Sequence, residues 1–419
     1  MIKNNLLLVL IIHVSSLLSA QNEQFAREIL AKLCSPELHG RGYTFGGDSM
    51  AAYYIQGLFE GMSLKQFNGS FFQPFVLTAN TFDNRAYIIS GKDTLRAGND
   101  FVVKPSSKSA VCHRKILFFN PFKKSSVKKL QHCIQTNDSN FTIVFDTVGV
   151  GKALIDRYYT KIERFNREVS HVEIMCVDKL PPQGIAVFQS GYSTFYVLKK
   201  LLKNNTLQLL FDATLKYDYT TRNIVAYIPG ETDTFKVITA HYDHVGTLGR
   251  DAYFPGAHDN ASGTAMLIDL ASYFSKASKP HYSLAFMFFS GEEAGLLGSN
   301  YYTRNPMFPL SKIKTLINLD MLGSGDEGIM VVNGSVLKDE FDFLVNINNT
   351  NNYVPNIRSR GEAANSDHYF FYKKGVKSLY IYTLGTYKEY HNIYDRAEAI
   401  PMPVYNGIFN LVKDFVTDY

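Results

Sequence analysis

The sequence predicts an α/β fold, a mixed and largely parallel sheet flanked by helices, with a strand-rich stretch in the middle of the chain. Three observations lead there. Between residues 216 and 419, apolar strand-like runs alternate with amphipathic helical runs, the rhythm of parallel strands joined by helical crossovers. One run, Ser283–Phe289, is almost wholly apolar, as strands buried on both faces are. Residues 76–215 instead show short alternating runs, such as 85–90 and 115–119, the period of half-buried strands.

Taken in order, residues 1–20 read as a signal peptide. Lys3 supplies a positive start, residues 6–14 an apolar stretch, and Leu18-Ser19-Ala20 a small-residue end. The apolar stretch is far shorter than the ~20 residues a bilayer needs, and no Cys follows Ala20 to carry a lipid. No other segment is apolar enough to span a membrane. The expectation is a secreted or periplasmic protein with no stable membrane anchor. Residues 21–75 hold a helical run over 23–33, the stretch Glu37-Leu38-His39-Gly40-Arg41, and a second helix over 47–59. The basic clusters of residues 76–215, Lys123-Lys124 and Lys128-Lys129, read as solvated surface.

In residues 216–419, runs 223–228 and 236–240 read as neighbouring strands around a Pro229-Gly230 turn. Residues 264–276 place Met266, Leu267, Leu270, Ala271 and Phe274 at helical spacing. Ile313–Leu319 and residues 376–382 are further strands, and residues 404–416 form an amphipathic helix.

Composition sets bounds. A chain of 419 residues with 46% hydrophobic content can build a sizeable core and more than one domain. A net charge of +5 is mild and lacks the dense basic face of a nucleic-acid binder. None of Cys34, Cys112, Cys133 and Cys176 sits in a CxxC pair, which argues against a cysteine zinc site. Cys112 and Cys133 lie in one region, and a disulfide between them and buried free thiols both stay open. Gly149-Val150-Gly151-Lys152 has the tail of a phosphate loop, but Asp146 and Ala153 stand where Gly and Ser or Thr are needed.

The chemistry lies just beyond the strands of the last third. Residues 236–240 run into His241-Tyr242-Asp243-His244, and the loop beyond carries Asp259 just before a helix. Ser283–Phe289 leads to Glu292-Glu293, Ile313–Leu319 to Asp320, and 376–382 to Tyr390-His391. Sites of open α/β sheets form at the carboxyl ends of their strands. Imidazole nitrogens and carboxylate oxygens suit zinc, and a carboxylate can bridge two ions. Asp243, two residues past His241, is placed to orient that imidazole. Singly, each residue is as easily a hydrogen-bonded histidine, a helix cap or a solvated pair; together they converge on one sheet edge.

These residues resemble the co-catalytic zinc exopeptidases of the bacterial leucyl aminopeptidase and aminopeptidase S type. Transferrin receptor, glutamate carboxypeptidase and glutaminyl cyclase are distant relatives. The resemblance is carried by AHYDH, GAHDNASGTA, SGEEAGLLGS, INLDMLG and YHNIYD, with ELHGR near the start. It implies two zinc ions per chain and peptide substrates with a free amino terminus. It also implies that Asp259 bridges the ions, that His241 and Asp320 complete one, and that Glu293 and His391 complete the other. Glu292 becomes the general base and Tyr390 an oxyanion donor. It implies a cis peptide after Asp259, and a protease-associated or apical-like insert at 76–215 between a peptidase amino-terminal part, 21–75, and a catalytic part, 216–419. Rival readings are a single-zinc glutaminyl cyclase, a carboxypeptidase or dipeptidase relative, and a non-catalytic binding protein. His258 has no assigned role.

Overall fold

The computed structural model describes residues 23–147 and 149–419; the expected signal peptide lies outside the described residues. Helices α1 (residues 23–33) and α2 (Gly47–Gly61) open the chain, followed by strands β1 (Lys65–Gln66) and β2 (Phe72–Thr81). The middle stretch holds β3 (Ala86–Ser90), β4 (Asp93–Arg96), β5 (Phe101–Val103) and β6 (Ala110–Phe119). It continues through α3 (Lys124–Thr136), β7 (Phe141–Phe145), α4 (Lys152–Phe165), β8 (Val172–Val177), β9 (Ser193–Leu198) and β10 (Thr206–Phe211). Next come β11 (Thr214–Ile228), β12 (Phe235–His241), the small pair β13 (Thr247–Leu248) and β14 (Ala252–Tyr253), α5 (Ser262–Lys276) and β15 (Ser283–Phe289). The remainder is α6 (Leu297–Arg304), β16 (Ile313–Leu319), β17 (Gly328–Val332), α7 (Lys338–Asn351), β18 (Ile357–Arg360), α8 (His368–Lys373), β19 (Ser378–Leu384) and α9 (Tyr405–Asp418).

Among the described residues, nine strands form the main sheet, in the order β1-β11-β15-β12-β16-β19-β17-β18 with β2 paired to β11. Its centre, β15-β12-β16-β19, is parallel. The antiparallel pairs lie toward its sides: β11 with β15, β2 and β1, and β17 with β19. The mixed α/β architecture expected from the sequence is therefore present. All seven residues of β12 and of β15 are buried, as central strands covered on both faces must be. Helix α5 buries twelve residues, among them Met266, Leu267, Leu270 and Phe274, and α9 packs Ile408, Phe409, Val412 and Phe415 into the same core. No helix among the described residues is long and apolar enough to cross a membrane.

One expected pairing is corrected. The strands on either side of Pro229-Gly230 are not neighbours, because β15 lies between β11 and β12. The connecting loop is held away from a hairpin: the Gly230 amide donates to Ser283 Oγ at 2.9 Å and the Glu231 amide to the Pro280 carbonyl at 2.9 Å. The most apolar strand thereby takes an interior position.

The middle stretch builds a five-stranded sheet, β4-β3-β10-β6-β7, and a three-stranded sheet, β5-β9-β8. It also holds two helices, α3 and α4, where the sequence suggests strands alone. Helix α3 buries Leu130 and Cys133 and leaves its lysines outward. All four cysteines are free thiols. The chain leaves the main sheet along β2 and returns along its antiparallel partner β11, with Thr81 opposite Thr214 and Phe72 opposite Ile224.

Candidate metal centre

Because β12, β15, β16 and β19 run parallel, their carboxyl ends open on one edge. His241 is the last residue of β12, and Asp320 directly follows β16. After β15 the chain turns at Gly291 with φ 75°, the left-handed conformation that glycine adopts without penalty, and presents Glu292 and Glu293. Tyr390 and His391 follow β19. Asp259 sits in the turn entering α5, and its peptide bond to Asn260 is cis, as the resemblance implied.

Two donor groups result, sharing Asp259. His241 Nε2 lies 3.1 Å from Asp259 Oδ1 and 3.4 Å from Asp320 Oδ1. His391 Nε2 lies 2.9 Å from Asp259 Oδ2 and 3.1 Å from Glu293 Oε2. Asp259 thus turns one oxygen to each group. His244 joins the second group, with Nδ1 2.6 Å from Glu293 Oε1. Glu292 stands beside the first, its Oε2 4.0 Å from His241 Nε2. The ring of Tyr390 stacks on His391 at 3.9 Å.

The donor set fits metal cations. His241 Nε2, His244 Nε2 and Asp320 Oδ1 are buried and without a hydrogen-bond partner, and a buried polar atom left unpaired costs about 1–3 kcal/mol. His391 places Nδ1 2.7 Å from a main-chain carbonyl and turns Nε2 to two carboxylates. Positive charge at Nε2, a proton or a metal cation, balances those carboxylates.

Supporting contacts come from several elements. Asp243 reaches His241 through its own carbonyl, 3.2 Å from Nδ1, with its Oδ1 at 3.6 Å. Its carboxylate chiefly accepts from the Tyr43 hydroxyl at 2.8 Å and the Glu292 amide at 3.3 Å. Ser366 donates to Asp320 Oδ2 at 2.8 Å. The Asp395 carboxylate accepts from the amides of His258 and Asp259. Fully buried Arg41 donates to the carbonyls of Tyr242, Pro255 and Gly256, tying the His241 and Asp259 segments together. His258 stays out of both donor groups; its Nδ1 accepts the Gly323 amide at 3.0 Å.

The two adjacent glutamates differ in surroundings. Burial pushes the Glu292 carboxyl well above its usual value, and the carboxylates of Asp320 and Asp367 add to that against the pull of His241. Burial also acts to raise Glu293, but the imidazoles of His391 and His244 hold it at about 2. Burial likewise raises Asp367 to about 7.

The structure brings together His241, Asp259, Glu292, Glu293, Asp320 and His391, with Tyr390 and Asp243 alongside. Sequence reasoning missed His244, Arg41, Ser366 and Gln183, whose carbonyl is the one His391 meets. His244 stands in the same four-residue segment as His241, and Arg41 in the ELHGR motif. Nothing local marks Ser366 or Gln183. Beside the centre lies a cavity of about 430 Å³, lined by Met321, Tyr380, Tyr382, Tyr387 and Tyr390, with Glu327 among its polar groups.

The fold is that of the zinc aminopeptidases. The chain superposes on a zinc aminopeptidase from Bacillus subtilis with a TM-score of 0.64 at 18% identity, covering 94% of each chain. An aminopeptidase from Aneurinibacillus sp. strain AM-1 gives 0.57 at 17% identity, covering 94% of this chain and 95% of that one. In sequence, residues 223–416 match the model of peptidase family M28. Leucine aminopeptidase 1 of Arthroderma otae is 28% identical over 183 residues, 40% of this chain and 49% of that protein. A vacuolar membrane protease of Clavispora lusitaniae is 31% identical over 135 residues, 30% of this chain and 12% of that protein. The chain spans half or less of the length of these curated relatives.

Proposed function

We propose that the chain is an exported exopeptidase that holds two zinc ions and removes residues from the free amino end of peptides. The observation that carries this reading is Asp259, whose two oxygens face two separate donor groups. His241 and Asp320 would hold one ion with it; Glu293 and His391 would hold the other, with His244 steadying Glu293.

Zinc at these positions supplies Lewis acidity, polarising a peptide carbonyl and lowering the pKa of water from 15.7 to about 7. The residues of the chain do the rest. Glu292 takes the proton from the attacking water and returns it to the leaving amine, so that one water is consumed and one peptide bond broken. The Tyr390 hydroxyl donates to the oxygen that gains charge in the tetrahedral transition state. The buried, carboxylate-rich pocket attracts the charged α-amine of a substrate, and the adjoining tyrosine-lined cavity takes its first side chain. Residues 76–215 form an insert between the two parts of the peptidase and restrict access to the centre.

Metal analysis together with a peptide panel tests the reading. About two zinc ions per chain and release of amino-terminal residues from free peptides, but not from α-acetylated ones, are expected. Saturation at one ion points to the single-zinc cyclase chemistry. Equal cleavage of blocked and free peptides makes the protein an endopeptidase.

A further inference from the structure

The carbonyl that meets His391 comes from the middle stretch of the chain. Gln183 lies between β8 and β9, distant in sequence from every residue of the donor groups. Its carbonyl is 2.7 Å from His391 Nδ1, and its amide donates to the His391 carbonyl at 2.9 Å. The contact is reciprocal and buried, with Gln183 2% and His391 7% exposed. A carbonyl on Nδ1 selects the tautomer whose Nε2 lone pair faces the metal, fixes the ring plane, and makes the ligand more basic.

The segment that presents this carbonyl is itself held in place. Gln183 Oε1 accepts the Val103 amide at 3.3 Å, from β5. The Ala186 carbonyl accepts the Asn80 amide at 2.8 Å, and Gln189 donates to Asn80 Oδ1 at 2.9 Å. The Ser190 amide reaches the Ser106 carbonyl at 2.7 Å. The strap 183–190 thus joins β2, the β5 region and the metal ligand.

We infer that the main chain of Gln183 is a positioning element for His391, so that the middle stretch completes the metal centre as well as lying beside it. This rests on the two-zinc reading. Its consequence is a coupling: zinc held by His391 tightens the strap, and loosening the strap weakens that ion and not the one held by His241 and Asp320.

Hydrogen exchange on the wild-type protein, with zinc and after chelation, tests the coupling without any substitution. Zinc is expected to slow exchange of amides in the strap while leaving β6 and β7 unchanged. Chelator competition on Gln183→Pro gives the second readout. This change keeps the carbonyl but removes the amide that ties it to His391, and the weaker positioning is expected to lower affinity for one of two ions by roughly 10-fold, at the low end of the range for metal-supporting contacts. The other ion keeps its wild-type affinity. Strap exchange that ignores zinc, or Gln183→Pro weakening both ions alike or neither, overturns the inference. If the wild type binds no zinc, the two-zinc reading itself falls.

Discussion

Glu292 and Glu293 are adjacent in sequence yet sit in opposite surroundings. Glu293 lies between two imidazoles, whereas Glu292 faces carboxylates and stands 4.0 Å from His241 Nε2. The expected outcome for Glu292→Gln is retention of both ions with a fall in turnover of about 10²–10⁴, the usual worth of a general base. Glu293→Gln is expected to weaken one ion. Metal content and turnover measured on both variants check this, and metal loss in Glu292→Gln alone would reverse the assignment. His244→Ala removes the 2.6 Å contact on Glu293. It should weaken the same ion by about 10–100-fold, read by chelator competition, with the His241 side unchanged. At this scale the donor residues were legible because each stands in a short motif, most of them just after a strand and Asp259 just before a helix. His244 was overlooked because the same segment already offered His241 and Asp243. Ser366 and Gln183 were invisible because they reach the centre only through the folded chain.

At the scale of elements, the strands carrying the centre were legible from their apolar runs; Ser283–Phe289 and Ile313–Leu319 match the structure's bounds. Strand order was not legible across Pro229-Gly230, since local turn chemistry does not state which strand a third one will separate. Helix α3 was hidden behind its lysines, although Val127, Leu130 and Ile134 recur at helical spacing. A further prediction concerns the contact between α5 and α9. Asp269 is 3% exposed, burial raises its pKa to about 6, and Tyr405 donates to it at 2.9 Å. A carboxyl raised above its unfolded value of ~3.9 contributes stability that is present below about pH 4 and lost as pH rises through about 6. Relative to Asp269→Asn, the wild type should therefore lose up to about 3 kcal/mol across that window. Urea unfolding at pH 4.5 and pH 7 reads the difference, and a gap that widens in the wild type's favour with rising pH would contradict it.

At the scale of the whole molecule, donor side chains from both ends of the segment 241–391 gather on one edge of the main sheet. On the two-zinc reading, zinc binds the folded chain alone and so adds to stability by mass action, about 2.7 kcal/mol at a hundredfold excess over its dissociation constant. The melting temperature should rise with zinc and fall with chelator, and a melting temperature indifferent to both would mean that the buried carboxylates are satisfied without metal. The α/β architecture was legible because its strand and helix periods differ; the link from residues 183–190 back to His391 was not, because such contacts obey no local period.

The departure along β2 and the return along β11 place the two ends of the middle stretch side by side. A stretch with neighbouring ends can be lost, gained or exchanged in descent without disturbing the sheet that carries it. Here that freedom is curtailed. A replacement that fitted the same pair of strands but brought no carbonyl to His391 would inherit the scaffold and a poorly oriented ligand. Lineages that remodel this stretch are therefore expected either to preserve a carbonyl at that spot or to supply Nδ1 with a new acceptor from elsewhere in the chain.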